Sequence, residues 1–255
     1  VRVPSLEPVD GVELFIDRAS AVDDRFGDEP DRRSVEAICR RLDGIPLAIE
    51  LAAARVRSLS PAEILHRLDE RFRLLRGSGR GGLERHQTLE AAVDWSYRLL
   101  ADAQRELFDE LSVFAGSFDL DAVDAICDAA GGDAVDLLAD LVDRSMVVAV
   151  RAGRRTRYRL LETLRQYGER RLTDREATGP LRDRHLRYYS DAASRMWSLS
   201  FTGDEAEMFA FVDSEWDNLR AALNWSIVLD DVVVAEQLVL ATTSVAEIRM
   251  RYEHA

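Results

Sequence analysis

Residues 146–161 read MVVAVRAGRRTRYRLL. The apolar run MVVAV, the turn-forming RAGRRT and the run RYRLL predict two short strands around a glycine-containing hairpin turn. Upstream, residues 88–143 carry helical punctuation. Thr88 caps a helix that runs through Leu100, a second helix spans roughly Asp102 to Phe114, Gly116 breaks the chain, and short helices follow near 119–129 and 133–143. Downstream, ETLRQYGERRL (162–172) reads as a closing helix. Helices followed by a β-hairpin wing describe a winged-helix arrangement over residues 88–175.

The flanking segments are helical as well. Asp10 is placed to cap a helix bearing Val12, Phe15 and Ala19. Val35, Ile38, Cys39 and Leu42 recur at i, i+3, i+4 and i+7, which puts them on one apolar face. Gly44 stops that helix and Pro46 fits the first turn of the next, LAIELAAARV, which is apolar almost all round and expected to be buried. Ser60-Pro61-Ala62-Glu63 has the form of a capping box. A glycine-rich stretch, RGSGRGGLERHQ, reads as a linker. Beyond 176, one helix opens at Pro180 with Leu181, His185, Tyr188 and Ala192, and a second carries Met208, Phe211, Val212, Trp216, Leu219 and Leu223. Ile227–Asp231 reads as a turn into a third, and antiparallel pairs of this size suggest the start of a helical-repeat array. The expected architecture is mainly α. It comprises a helical subdomain (1–77), a linker (78–87), a winged helix with its short β-hairpin (88–175) and an antiparallel, tetratricopeptide-like helical segment (176–255).

Charge narrows the function. The 255-residue chain has a net charge of −13, which disfavours a whole-chain nucleic-acid binder. All its basic residues are arginine, so no phosphate loop of the GxxxxGK[ST] type and no lysine-based catalysis can reside here. The opening VRVPSLEPVDGVELF lacks the basic and apolar regions of a signal peptide, Val1 reads as the edge of a longer protein, and a cytoplasmic location is expected. Cys39 and Cys127 lie in apolar helical patterns and read as buried thiols. The four histidines show no metal-ligand spacing, and no nucleophile elbow or catalytic pair stands out, so no enzyme activity and no metal are expected within these residues.

Charge is also segregated. Between Arg151 and Arg171 eight arginines stand against two glutamates, whereas between Thr88 and Asp143 fourteen acids stand against two arginines. Arg151, Arg154, Arg155, Arg157 and Arg159 therefore admit two roles: a wing docking on DNA backbone, or pairing with the acidic helices or a neighbouring domain. The second is favoured, because the candidate recognition helix DAVDLLADLVD is itself acidic and would face phosphates badly.

Three segments carry a family resemblance. Gly44-Ile45-Pro46-Leu47-Ala48 resembles the GLPLA motif of NB-ARC domains in the STAND class of switch ATPases. Arg85–Leu89, Trp95-Ser96 and LFDELSVFAGSFDLDAVDAIC resemble the winged-helix unit that follows, most closely in actinobacterial regulators of the AfsR/LuxR-like type, some of which also carry cyclase domains. Trp216–Leu223 resembles the opening of their tetratricopeptide-like region. The resemblance implies an ATP/ADP switch with Mg²⁺ in the intact protein, its phosphate loop upstream of Val1, and Gly44, Pro46 and Leu47 on the adenine side. It also implies a winged helix that relays nucleotide state to the helical region, with the other domains of the same polypeptide, a protein bound by the helical region, and DNA through a separate domain as partners. The sequence departs from the family at Leu160-Leu161-Glu162, where Leu161 stands in place of a phosphate-touching histidine and can donate no hydrogen bond. The alternatives are a regulator that binds DNA through the wing and a passive interaction scaffold.

Overall fold

The computed structural model describes residues 6–23, 26, 31–75, 84–128, 134–152, 155–199 and 205–253, which form twelve helices and one antiparallel hairpin. By packing, the chain divides into two units: residues 1–105 with 139–146, and residues 106–138 with 147–255.

The first unit contains α1 (Pro8–Val22), α2 (Arg32–Arg41), α3 (Pro46–Ala53), α4 (Pro61–Leu75) and α5 (Glu84–Arg98). Phe15, Ile38, Leu42, Ile49, Ile64, Leu68 and Trp95 meet in one buried core. The α2 face expected from its spacing is the buried one, and α3 buries Ala48, Ile49, Leu51, Ala52 and Ala53. The turn between these helices is a Schellman motif: the amide of Asp43 donates to Arg40 O (3.2 Å) and that of Gly44 to Cys39 O (3.1 Å). Both residues are left-handed (φ 54° and 64°), a conformation that glycine adopts without steric cost. Pro46 then takes the first helical position, where its missing amide costs nothing. The capping box before α4 is reciprocal, with Ser60 N donating to Glu63 Oε2 (2.8 Å) and Glu63 N to Ser60 Oγ (3.3 Å).

Several helix ends differ from the sequence reading. Helix α1 begins at Pro8, so Asp10 sits in its first turn, where its carboxylate faces the positive end of the helix dipole. Residues 84–87, read as the end of the linker, are the first turn of α5, while linker residues 78–83 lie outside the described residues. Thr88 is therefore internal to α5 and not a cap; its hydroxyl donates to Asp43 Oδ2 (2.8 Å). Helix α5, grouped by sequence with the winged helix, packs Ala91, Ala92 and Trp95 into the first core.

The chain continues through α6 (Asp102–Leu111), α7 (Leu120–Ile126), α8 (Ala134–Asp143), β1 (Val148–Ala152), β2 (Arg155–Arg159) and α9 (Glu162–Asp174), all in the second unit except the start of α6, residues 102–105, and the end of α8, residues 139–143, which group with the first. The strands pair from Val148 opposite Arg159 to Ala152 opposite Arg155. Helix α6 ends at Leu111, before Phe114, because the amides of Ser112, Val113 and Phe114 bond to carbonyls three residues back and tighten the chain into a turn. Phe118 then bridges to Tyr158 through two main-chain hydrogen bonds of 2.8 and 2.7 Å. Its ring stacks on Phe114 at 4.3 Å and lies 6.2 Å from Tyr158. Three long helices follow and pack on one another: α10 (Thr178–Leu199), α11 (Glu205–Val228) and α12 (Val232–Glu253). Pro180 falls within the first turn of α10, which starts two residues earlier than expected. Asp230 turns left-handed (φ 57°) between α11 and α12, as the helix-to-helix turn requires.

Cys39 in the first unit and Cys127 in the second are buried free thiols. Among the described residues no helix is long and apolar enough to cross a membrane.

Gly168 of α9 tests how tightly the second unit is packed. A Cβ there would lie 2.9 Å from the Cβ of Ser112, an atom fixed to backbone and unable to rotate away. Alanine in a helix is favoured over glycine by about 1 kcal/mol, but overpacking costs about 1–3 kcal/mol. The steric effect wins, and Gly168→Ala is expected to lower the melting temperature in a thermal scan; a rise would show that the 112–114 turn yields.

Candidate functional site

The order α6, Phe118, α7, α8, β1, β2 is that of a helix-turn-helix followed by a wing, with α8 in the position of the recognition helix. Asp136, Asp140 and Asp143 are exposed on α8. The helix's last residues, 139–143, group with the first unit, where Asp143 accepts from Arg57 (2.8 Å) and Asp140 from Gln104 (2.6 Å). A helix with this charge repels phosphate.

The wing is different. Arg151, Arg155 and Arg159 are exposed, and among the described residues no hydrogen bond or ion pair engages their side chains. Arg154 lies outside the described residues. Arg157, on the same strand, turns inward. Its Nε donates to Ser117 Oγ (2.9 Å), its NH2 to Ser117 O (2.7 Å) and Ser214 O (3.4 Å), and its NH1 pairs with Glu215 of α11. Burial works against the Arg157 charge, but the hydrogen bond and charge of Glu215 outweigh it and hold the guanidinium above its ordinary pKa. Of the five wing arginines singled out by sequence, one thus pairs with a neighbouring helix and three face solvent.

A polar cluster surrounds this pair. Asn218 is fully buried and uses both ends of its amide. Its Oδ1 accepts from the amides of Ala115 (3.0 Å) and Gly116 (3.2 Å), and its Nδ2 donates to Ser117 O (2.8 Å) and Glu215 Oε2 (3.0 Å). Tyr189 of α10 donates to Glu215 Oε2 (3.1 Å), and burial followed by the Glu215 charge raises its pKa well above the ordinary value, keeping the phenol protonated. His185 lies between Phe114 (centroids 5.8 Å apart) and Tyr189 (4.6 Å). Burial, with a smaller push from Arg182, lowers its pKa to about 4.

The sequence reading listed Trp216 among the apolar residues of this helix and included Asn218 only within the Trp216–Leu223 segment, assigning no role to Asn218, Glu215, Tyr189 or Ser117. Trp216 is 51% exposed. Glu215 takes the inward place because Arg157 and Tyr189 satisfy its carboxylate there. The signal that could have found the cluster is Asn218 itself, a polar residue in phase with Leu219 and Ala222.

Other basic side chains pair with the acidic helices. Arg175 reaches Asp109 (3.4 Å), and Arg184 reaches Asp128 (2.8 Å) and donates to Ile126 O (2.7 Å). Gly44, Pro46 and Leu47 sit half-buried at the α2–α3 turn of the first unit. Among the described residues no group of three or more His, Cys, Asp or Glu side chains could hold a metal ion.

Residues 100–173, from the residue before the α6 approach through most of α9, match the family of winged helix-turn-helix domains. The chain is 48% identical over 232 residues to a Mycobacterium tuberculosis protein carried under the name HTH-type transcriptional regulator, covering 88% of this chain and 26% of that relative. A Mycobacterium bovis protein of the same name matches equally. A further M. tuberculosis protein, whose name assigns no function, is 46% identical over 179 residues, covering 68% of this chain and 46% of the relative. The chain thus spans about a quarter of the length of the first two of these relatives.

The low pKa of His185 makes stability depend on pH. The unfolded imidazole takes up its proton near pH 6.5 and the folded one only near 4, so stability falls as pH drops through that window. Between pH 7 and pH 5 the loss from this group is about 2 kcal/mol at 1.36 kcal/mol per pH unit. Denaturant unfolding at both pH values should show this increment in the wild type and lack it in His185→Gln; equal pH dependence in the two would refute the assignment.

Proposed function

We propose that this chain is the winged-helix segment of a transcription regulator and that it meets DNA through the backbone-facing wing, not through α8. The supporting observation is the exposure of Arg151, Arg155 and Arg159, free of side-chain partners among the described residues, on the hairpin of a fold whose matching relatives carry the name of HTH-type regulators. Arginine on a hairpin supplies charge-assisted contacts to phosphate and carries no base-reading geometry by itself. Binding of this kind is non-specific, with Kd on the order of 10⁻⁴–10⁻⁶ M and a strong salt dependence. The acidic α8 keeps base reading away from this unit, so sequence selection falls to another part of the regulator. Such a protein works in the cytoplasm, where the DNA is.

The test is fluorescence anisotropy of a labelled duplex titrated with the chain across salt concentrations. Three phosphate contacts predict a log–log slope of about −3, from roughly 0.9 counterions released per contact. Replacing Arg151, Arg155 and Arg159 together with glutamine is expected to abolish the binding; an absence of wild-type binding at low salt removes this reading.

A second reading draws on a different observation: residues 139–143 of α8 are engaged by Arg57 and Gln104, so part of the face a recognition helix needs is committed to protein. In that reading the segment belongs to an ATP/ADP switch. Gly44, Pro46 and Leu47 lie against the adenine in the intact protein, the Mg²⁺–phosphate site is supplied from upstream, and the tetratricopeptide-like helices at 176–255 receive a protein partner while DNA is held by a separate domain. Calorimetry with ADP and Mg²⁺ decides it: binding is expected only for a version extended towards the N-terminus, and tight binding by the present chain alone would contradict the upstream placement.

A further inference from the structure

The hairpin's orientation is not set by its own two strands. Ten residues of paired strand form one isolated ribbon, which is marginal by itself. What holds it is a cluster from outside the wing. Arg157 leaves the hairpin and ends on Glu215, Ser214 and Ser117. Asn218, one turn further along α11, closes both amides and one carbonyl of the 115–117 turn. That turn leads directly into Phe118, the residue bridged to Tyr158 of β2. Two routes therefore run from α11 to the wing, one through the Arg157 side chain and one through the 115–118 backbone. They share Glu215, whose second oxygen takes Asn218 and Tyr189.

We infer that Glu215 and Asn218 are positioning residues for the wing: they latch it to α10–α11, withdraw Arg157 from the DNA-facing set and present Arg151, Arg155 and Arg159 in a fixed arrangement. The DNA half of this inference rests on the reading of the wing given above; the latch itself does not. Because α11 carries the latch, any rearrangement of α10–α11 reaches the wing arginines directly.

The experiment uses the whole chain and three variants: Glu215→Gln, Asn218→Ala, and Glu236→Gln as a matched charge change at an exposed site on α12. The first readout is hydrogen exchange at the amides of Phe118 and Tyr158, taken relative to the amides of α3. Both latch variants are expected to speed exchange by about 100-fold, the scale of removing one partner of a buried pair, while Glu236→Gln leaves it unchanged. The second readout is duplex binding across salt. A positioning role predicts weaker affinity with the same slope in Asn218→Ala, where Glu215 still holds Arg157 and the phosphate contacts remain three; a direct phosphate contact by Arg157 in the wild type would instead show as a slope steeper than three contacts allow. If exchange at Phe118 and Tyr158 is unaltered in both latch variants, the latch is wrong. If the wild type binds no DNA, the wing reading fails, and the exchange data alone decide the latch.

Discussion

The ion pair between Arg157 and Glu215 joins a strand of the wing to a helix that begins well after the winged-helix residues end. Both side chains are largely out of water, at 14% and 7% exposure. Isolated surface pairs contribute about 0–1 kcal/mol, and the helical pairs Arg98–Asp94 and Arg105–Asp102 belong to that class. A buried pair behaves differently, since losing either partner strands a charge at a cost of about 3–5 kcal/mol. The second oxygen of Glu215 accepts from both Tyr189 and Asn218, and these bonds make the burial tolerable. The winged helix and the helices after it consequently share one polar core within the second unit.

Local signals made much of the fold legible. The Gly44–Pro46 turn, the Ser60–Glu63 box and the turn at Asp230 all depend on residues within a few positions of one another, and each is where the sequence put it; the hairpin forms too, but its strands run over 148–152 and 155–159, so Arg151, Ala152, Arg155 and Thr156, read as turn, are paired strand. Misplaced features depended on distant partners. Thr88 looked like a cap because nothing local says that its hydroxyl would reach Asp43. Trp216 looked like core because hydrophobicity alone ranks it above Glu215; only the arrival of Arg157 and Tyr189 reverses that order. The candidate site was half legible for the same reason. The wealth of arginine in the wing is plain in the sequence, but which one turns inward is decided by Ser117 and Glu215, far away along the chain.

Surface charge and fold pull in different directions. The topology is that of a winged helix-turn-helix, yet α8 exposes three aspartates and hands its last turn to Arg57 and Gln104. Basic side chains elsewhere in the unit, such as Arg175 and Arg184, are spent on Asp109, Asp128 and Glu110. On the hairpin, by contrast, Arg151, Arg155 and Arg159 have no such side-chain partner among the described residues.

The two cysteines fall one to each packing unit, at Cys39 and Cys127. Burial raises the thiol of Cys39 to about 11 and that of Cys127 well above its ordinary value, so neither forms thiolate readily while its surroundings stay closed. Each thiol becomes reactive only when its own unit opens. The chain therefore carries a native pair of chemical clocks: alkylation at one cysteine times the breathing of the α1–α5 core and alkylation at the other times that of the winged helix, with no label added to either.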